Sequence, residues 1–92
     1  MKLIKYSASW CQPCKQLSNS LKQVDLSGIT LEEQDIDTLP RLMLQTLGIR
    51  GVPLLVLQDD NGNELDRRAG FMQASTIQEW LQNNSSTQEK QP

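Results

Sequence analysis

Trp10-Cys11-Gln12-Pro13-Cys14-Lys15 is the stretch on which the fold of this chain turns. Two cysteines stand three positions apart, with a proline between them and a cation after them. Upstream, Leu3, Ile4 and Tyr6 read as a short strand whose two faces can both be covered. Downstream, Pro13 suits a first helical turn, where its missing N–H costs nothing. Cys14, Leu17, Leu21 and Val24 then recur at helical steps as one apolar stripe. A strand therefore runs into a helix that starts near Cys11, and Ser27-Gly28 is expected to end it. The unpaired N–H groups of a first helical turn favour negative charge, so a thiolate at Cys11 is stabilised there. Cys14 lies one turn later on the same side, close enough to form a disulfide with Cys11, and Lys15 adds positive charge nearby. Such a pair attacks a disulfide, forms a mixed disulfide and resolves it with the second sulfur.

Outward from the motif, Ile29 to Ile36 is a second strand candidate interrupted by three acids. A second helix opens after Asp37-Thr38 with Pro40 in its first turn. Leu39, Leu42, Met43, Thr46 and Leu47 form its expected face, and Gly48 ends it. Pro53 to Leu57 is a nearly continuous β-compatible run, the mark of a buried central strand. Asn61-Gly62 signals a hairpin turn, and Glu64 to Ala69 returns as the second arm until Gly70 breaks it. Ser75 with Gln78 three residues on forms a capping box, and Ile77, Trp80 and Leu81 share the face of a last helix. The order β-α-β-α-β-β-α, with a right-handed crossover and then a hairpin, predicts an α/β fold. Its sheet is four-stranded and mixed, with helices on both faces.

Composition narrows the chemistry. The 92 residues suit one domain, with Lys+Arg 9 against Asp+Glu 11 and a net charge of −2. That balance, with the cations scattered, argues against nucleic-acid binding. The absence of His removes Ser-His-Asp and Cys-His nucleophiles and every zinc site that uses imidazole. One Cys-x-x-Cys supplies only half the ligands zinc wants, so no metal is expected unless a dimer shares the site. Asp59, Asp60, Glu64 and Asp66 lack the spacing of a calcium loop and read as a solvated hairpin tip. The longest apolar run, Val52 to Leu57, is far short of the ~20 residues a membrane helix needs. The opening MKLIKYSASW lacks the apolar core of a secretory leader. A reducing cytoplasmic setting is expected, where two cysteines are reactive more often than structural. The body is taken as residues 1–83; the stretch 84–92, without an apolar residue, is expected to be a flexible tail.

The motif WCQPCK resembles the WC-x-PCK redox signature of thioredoxins. Gly51-Val52-Pro53 is similar to that family's G-[IV]-P step, which carries a cis-proline beside the active site. Gly70-Phe71 resembles its glycine step bordering the substrate groove. With the element order, the resemblance spans residues 1 to about 83. The chain opens directly at the strand before the cysteines, and in length it is similar to glutaredoxins and to compact archaeal or phage thioredoxins.

The resemblance implies a thioredoxin fold and a thiol–disulfide oxidoreductase that reduces protein disulfides without a bound cofactor. It implies Cys11 as attacking thiolate, Cys14 as buried resolving thiol and Trp10 as their shield. Pro53 would be cis, leaving the carbonyl and amide of Val52 free to pair with an extended substrate segment. Trp10, Val52 and Phe71 would form the flank on which partner proteins dock. The implied partners are thioredoxin reductase as electron donor and disulfides such as that of ribonucleotide reductase. Monomer is the default state.

Two departures from the family pattern stand out. Gln12 occupies a slot usually held by Gly, and the residues between the cysteines tune the reduction potential. Thioredoxins also place a buried carboxylate six residues before the first cysteine, with a Lys partner on the next strand. Here the six-before position is Lys5, and the partner falls at or near Glu33, a charge-reversed pair. One reading puts the two behind Cys14, where an ammonium favours thiolates. The other lets the Lys5 stem run along the sheet edge and touch nothing catalytic. Two further functions remain open: a glutathione-linked, glutaredoxin-like enzyme, and a thioredoxin-fold interaction module. Against the glutaredoxin form stand Trp10 and the placing of Pro13 directly before Cys14.

Overall fold

The structure is a computed structural model that describes residues 1–89. Four strands form one mixed sheet: β1 (Lys2–Ser7), β2 (Thr30–Asp35), β3 (Leu54–Gln58) and β4 (Glu64–Ala69). Their order across the sheet is β2-β1-β3-β4. The helices are α1 (Gln12–Leu21), α2 (Arg41–Thr46) and α3 (Ala74–Glu89), with a single 3₁₀ turn at Ile36–Thr38. β1 pairs with β2 in parallel across the α1 crossover, and with β3 antiparallel. β3 and β4 form the expected hairpin, closed by Asp59, whose Oδ1 accepts the N–H groups of Asn61 and Asn63, each at 2.9 Å.

Alternation along β1 and β3 divides the core in two. Leu3, Leu55 and Leu57 turn to one face and pack with Leu17 and Leu21 of α1 and with Ile77, Trp80 and Leu81 of α3. Ile4, Tyr6, Leu54 and Val56 turn to the other face and meet Ile49, Leu39 and Leu44. This is why the central run reads as continuously apolar: both of its faces are covered. Lys5 lies between Leu3 and Ser7 in the row that faces α1, a charged residue in an otherwise apolar or small series.

The sequence expectations need correction at three places. The first helix stops at Leu21, well before Ser27-Gly28. The chain then tightens into turns in which Gln23 N–H donates to Ser20 O and Val24 N–H to Leu21 O. Val24 still reaches the core. The expected face of α2 is the wrong one. Leu42 is 72% exposed, and Met43 and Leu47 also face solvent. A six-residue helix shows the sheet little more than one side chain, here Leu44, and the flanking Leu39 and Ile49 complete the patch. Ser75 sits inside α3 rather than at its cap. Gln78 instead grips the turn after α1: its Oε1 accepts the Asp25 N–H at 2.8 Å and its Nε2 donates to Asp25 O.

α3 continues through Ser85 to Glu89, past the last apolar residue of its buried stripe, and so enters the stretch whose composition suggests a tail. Residues 90–92 of that stretch lie outside the described residues. No described helix is long and apolar enough to cross a membrane.

Candidate active site

Cys11 occupies the N-cap of α1, with Pro13 in the first turn. Its backbone is extended and its N–H donates to Ala8 O at 3.1 Å, so the loop from β1 delivers the sulfur to the helix start. Cys11 Sγ accepts the N–H of Cys14 at 3.1 Å. The sulfur thus does for the helix what a Ser or Asp oxygen does at other N-caps. The two cysteines are joined in a disulfide, with Cα atoms 5.3 Å apart. Both are buried with Ala8 in a small cluster that Ile36 and Val52 flank. A sulfur that already receives a helical N–H is placed to carry negative charge once the bond is reduced.

Trp10 is 67% exposed beside this pair, yet it is not loose. Its indole N–H donates to Asp37 Oδ2 at 2.9 Å. No local sequence pattern marks Asp37 as a site residue, although its place in the turn after β2 sets it beside the helix start. Gln12, Pro13 and Lys15 are exposed around the cysteines. The Val52–Pro53 peptide bond is cis. Gly70 N–H donates to Pro53 O at 2.9 Å, so the end of β4 is tied to the proline. Neither the N–H nor the carbonyl of Val52 has a backbone partner among the described residues. Phe71 is an exposed large apolar side chain. It lines a cleft with Gln16, Asn19 and Ser20 of α1.

Lys5 and Glu33 stand opposite each other in the β1–β2 register, with Nζ and Oε2 3.1 Å apart. Lys5 Nζ also donates to Ser18 Oγ on α1, and Ser7 Oγ donates to Glu33 Oε2 at 2.8 Å. The Ser7 hydroxyl, then the Lys5 ammonium, holds the Glu33 carboxyl below the usual carboxylate range. Lys5, Ser18 and Glu33 line a cleft of about 450 Å3 whose wall includes Cys14, with Lys15 and Asp35 at its sides. The Lys5 stem is therefore directed toward α1 and not along the sheet edge.

Comparison with known proteins agrees with this geometry. The thioredoxin family model matches residues 1–83. The SPbeta prophage-derived thioredoxin-like protein of Bacillus subtilis is 39% identical over 71 residues, which is 77% of this chain and 84% of that protein. Thioredoxin of Rickettsia bellii is 32% identical over 85 residues, covering 89% of this chain and 79% of the relative. Among solved structures, chloroplastic thioredoxin z superposes with a TM-score of 0.74 at 29% identity, over 92% of this chain and 78% of its own. The chain belongs to the thioredoxin family, and its Cys11–Cys14 pair is that of a thiol–disulfide oxidoreductase.

Proposed function

We propose that this protein is a general protein-disulfide reductase of thioredoxin type, with residues 1–83 as its working domain. The observation that carries the reading is the cysteine pair at the start of α1, where Cys11 Sγ already accepts a helical N–H. In the reduced protein the Cys11 thiolate attacks one sulfur of a substrate disulfide. A mixed disulfide forms and the first substrate thiolate leaves. Cys14 then gives up its proton, attacks Cys11 Sγ and expels the second substrate thiolate. Two electrons have passed to the substrate, and the Cys11–Cys14 disulfide remains.

The residues around the pair support the same reading. Trp10, held by Asp37, covers the helix start and limits the approach of water and small oxidants. The N–H and carbonyl of Val52, without backbone partners among the described residues, offer an extended substrate segment two backbone bonds beside Pro53, with Gly70 behind them. Phe71 extends the apolar docking flank beyond α1. Gln12 is neutral, which suits a reductant. The partners follow from the family: a thioredoxin reductase supplies electrons, and protein disulfides such as that of ribonucleotide reductase receive them, in the cytoplasm and with the protein as a monomer.

The test is reduction of insulin disulfides driven by NADPH and thioredoxin reductase, run beside a glutathione-driven arm. Turnover with the reductase, abolished in Cys11→Ser, is expected. Turnover only with glutathione would move the protein to the glutaredoxin-like class. A double Cys11→Ser, Cys14→Ser variant that kept full biological activity would make it an interaction module.

A further inference from the structure

Lys5 is a charged residue in the row of β1 that faces α1, and its side chain is only 4% exposed. Burying an ammonium is costly unless its partners compensate well. The compensation here is one-sided. Glu33 is 59% exposed and shares the same Oε2 between Lys5 and Ser7. Ser18 fixes the ammonium from the helix side. Ser18 follows Cys14 by one helical turn, so their side chains are neighbours about 5–6 Å apart on one face. Cys14 and Lys5 line the same cleft.

We propose that Lys5 is a positioning residue for the second half-reaction: its ammonium stabilises the ionised form of Cys14 and so speeds that sulfur's attack on the mixed disulfide. This rests on the reading of Cys11 as attacking and Cys14 as resolving thiol. The step is balanced within the protein. Cys14 loses its proton to water in the cleft, its thiolate forms the bond to Cys11 Sγ, and the bond from Cys11 to the substrate sulfur breaks, expelling a thiolate. Lys5 takes no part in the bond exchange itself.

The charged groups that face Cys14 across the cleft are Lys5 from β1, Glu33 and Asp35 from β2, and Lys15 from α1. Glu33 and Asp35 oppose ionisation, and Lys15 favours it. Glu33 and Lys15 are exposed and partly screened by water, Asp35 is half-buried with its Oδ1 taken up by the Asp37 N–H, and Lys5 alone of the four is buried. A net gain of about one pKa unit from these opposed charges corresponds to about tenfold in the ionised fraction of Cys14.

The test uses the reduced full chain and the uncharged disulfide 4,4′-dithiodipyridine, with release of thiopyridone followed across pH. The first release reports attack by Cys11 and the second reports resolution by Cys14. Lys5→Met is expected to slow the second phase about tenfold near neutral pH and to raise its pH midpoint, with the first phase within about twofold of wild type. Lys5→Arg is expected to keep the second phase within about threefold, because the charge remains. Glu33→Gln removes an opposing charge and is expected to move the midpoint the other way, downward. A merely structural role would move both variants in one direction. A second phase in Lys5→Met within twofold of wild type, at an unmoved midpoint, overturns the proposal. Should Lys5→Met not fold, Lys5→Gln, which keeps a donor to Ser18 and Glu33 but no charge, takes its place, and an unmoved midpoint there overturns the proposal equally. Wild-type protein that releases only one thiopyridone defeats the redox reading itself, and the role of Lys5 with it.

Discussion

The indole N–H of Trp10 donates to Asp37 Oδ2 at 2.9 Å, although Trp10 is among the most exposed large side chains of the protein. A side chain with that exposure would ordinarily sample several rotamers. The bond to an ionised acceptor fixes one of them beside Cys11. Asp37→Ala is expected to free the ring without unfolding the protein. In a Trp80→Phe background, where Trp10 is the sole tryptophan and is excited selectively at the red edge of its absorption, the anisotropy of its emission should fall. Insulin reduction should fall by about fivefold, the value of a hydrogen bond worth about 1 kcal/mol. Unchanged anisotropy in the variant would mean that packing, not Asp37, orients the ring.

Trp80 makes the second indole bond, donating to Asp66 Oδ2 at 2.7 Å and so fastening α3 to β4. That bond is the main reason the Asp66 carboxyl lies below its ordinary range. A carboxylate whose folded pKa is depressed contributes stability above its unfolded pKa and loses it as pH falls through the folded value. Trp80→Phe keeps most of the buried ring and removes the donor. Urea denaturation at neutral pH should show a loss of about 1–2 kcal/mol. As pH falls through the depressed folded pKa of Asp66 and the carboxyl becomes protonated in both states, the difference should shrink. A gap that stays constant into acid would assign the loss to packing alone.

Leu55 and Leu42 separate the two kinds of leucine in this chain. Leu55 is wholly buried between β1, α1 and α3, while Leu42 faces solvent on α2. Leu55→Ala should cost about 2–5 kcal/mol through lost transfer energy and a residual cavity. Leu42→Ala should lie within about 0.5 kcal/mol of wild type. Comparable losses for the two would overturn the packing described for α2.

That contrast also marks where the sequence could be read. β1 and β3 were legible because their apolar runs reflect a sheet covered on both faces, and β4 because the Asn61-Gly62 turn sends the chain back as a second arm. The site was legible at Cys11, Pro13 and Cys14 because helix-start chemistry is local. The opposition of Lys5 and Glu33 followed from the resemblance to thioredoxins, which pair the position six before the first cysteine with one on the next strand. The face of α2 was not legible, since Leu39, Leu42, Met43, Leu44 and Leu47 offer a short helix more than one apolar stripe, and only the sheet beneath selects Leu44. Asp37 against Trp10 and Gln78 against Asp25 were hidden for another reason. Each bond joins residues brought together by tertiary packing, 27 and 53 positions apart, and no local pattern encodes them.

Arg67 is the remaining long-range device, and it explains how a helix as short as α2 ends cleanly. Gly48 has a φ of +70°, the left-handed conformation that closes the helix, and Ile49 N–H returns to Leu44 O at 2.8 Å. The Leu47 and Gly48 carbonyls still need donors. Arg67 reaches over from β4 and supplies them from Nη2 at 3.1 Å and Nη1 at 3.4 Å. Glu64 holds the guanidinium in place by accepting from Nε at 2.7 Å and from Nη2 at 2.6 Å. The cation thus meets both a carboxylate and the negative end of a helix. Arg67→Met should cost about 1–2 kcal/mol in urea denaturation, since an exposed pair alone would be worth less. Arg67→Lys should recover little of it, because one ammonium cannot face Glu64 through two parallel bonds and reach two carbonyls at once. Full recovery in the lysine variant would show that charge suffices and that the forked geometry is incidental.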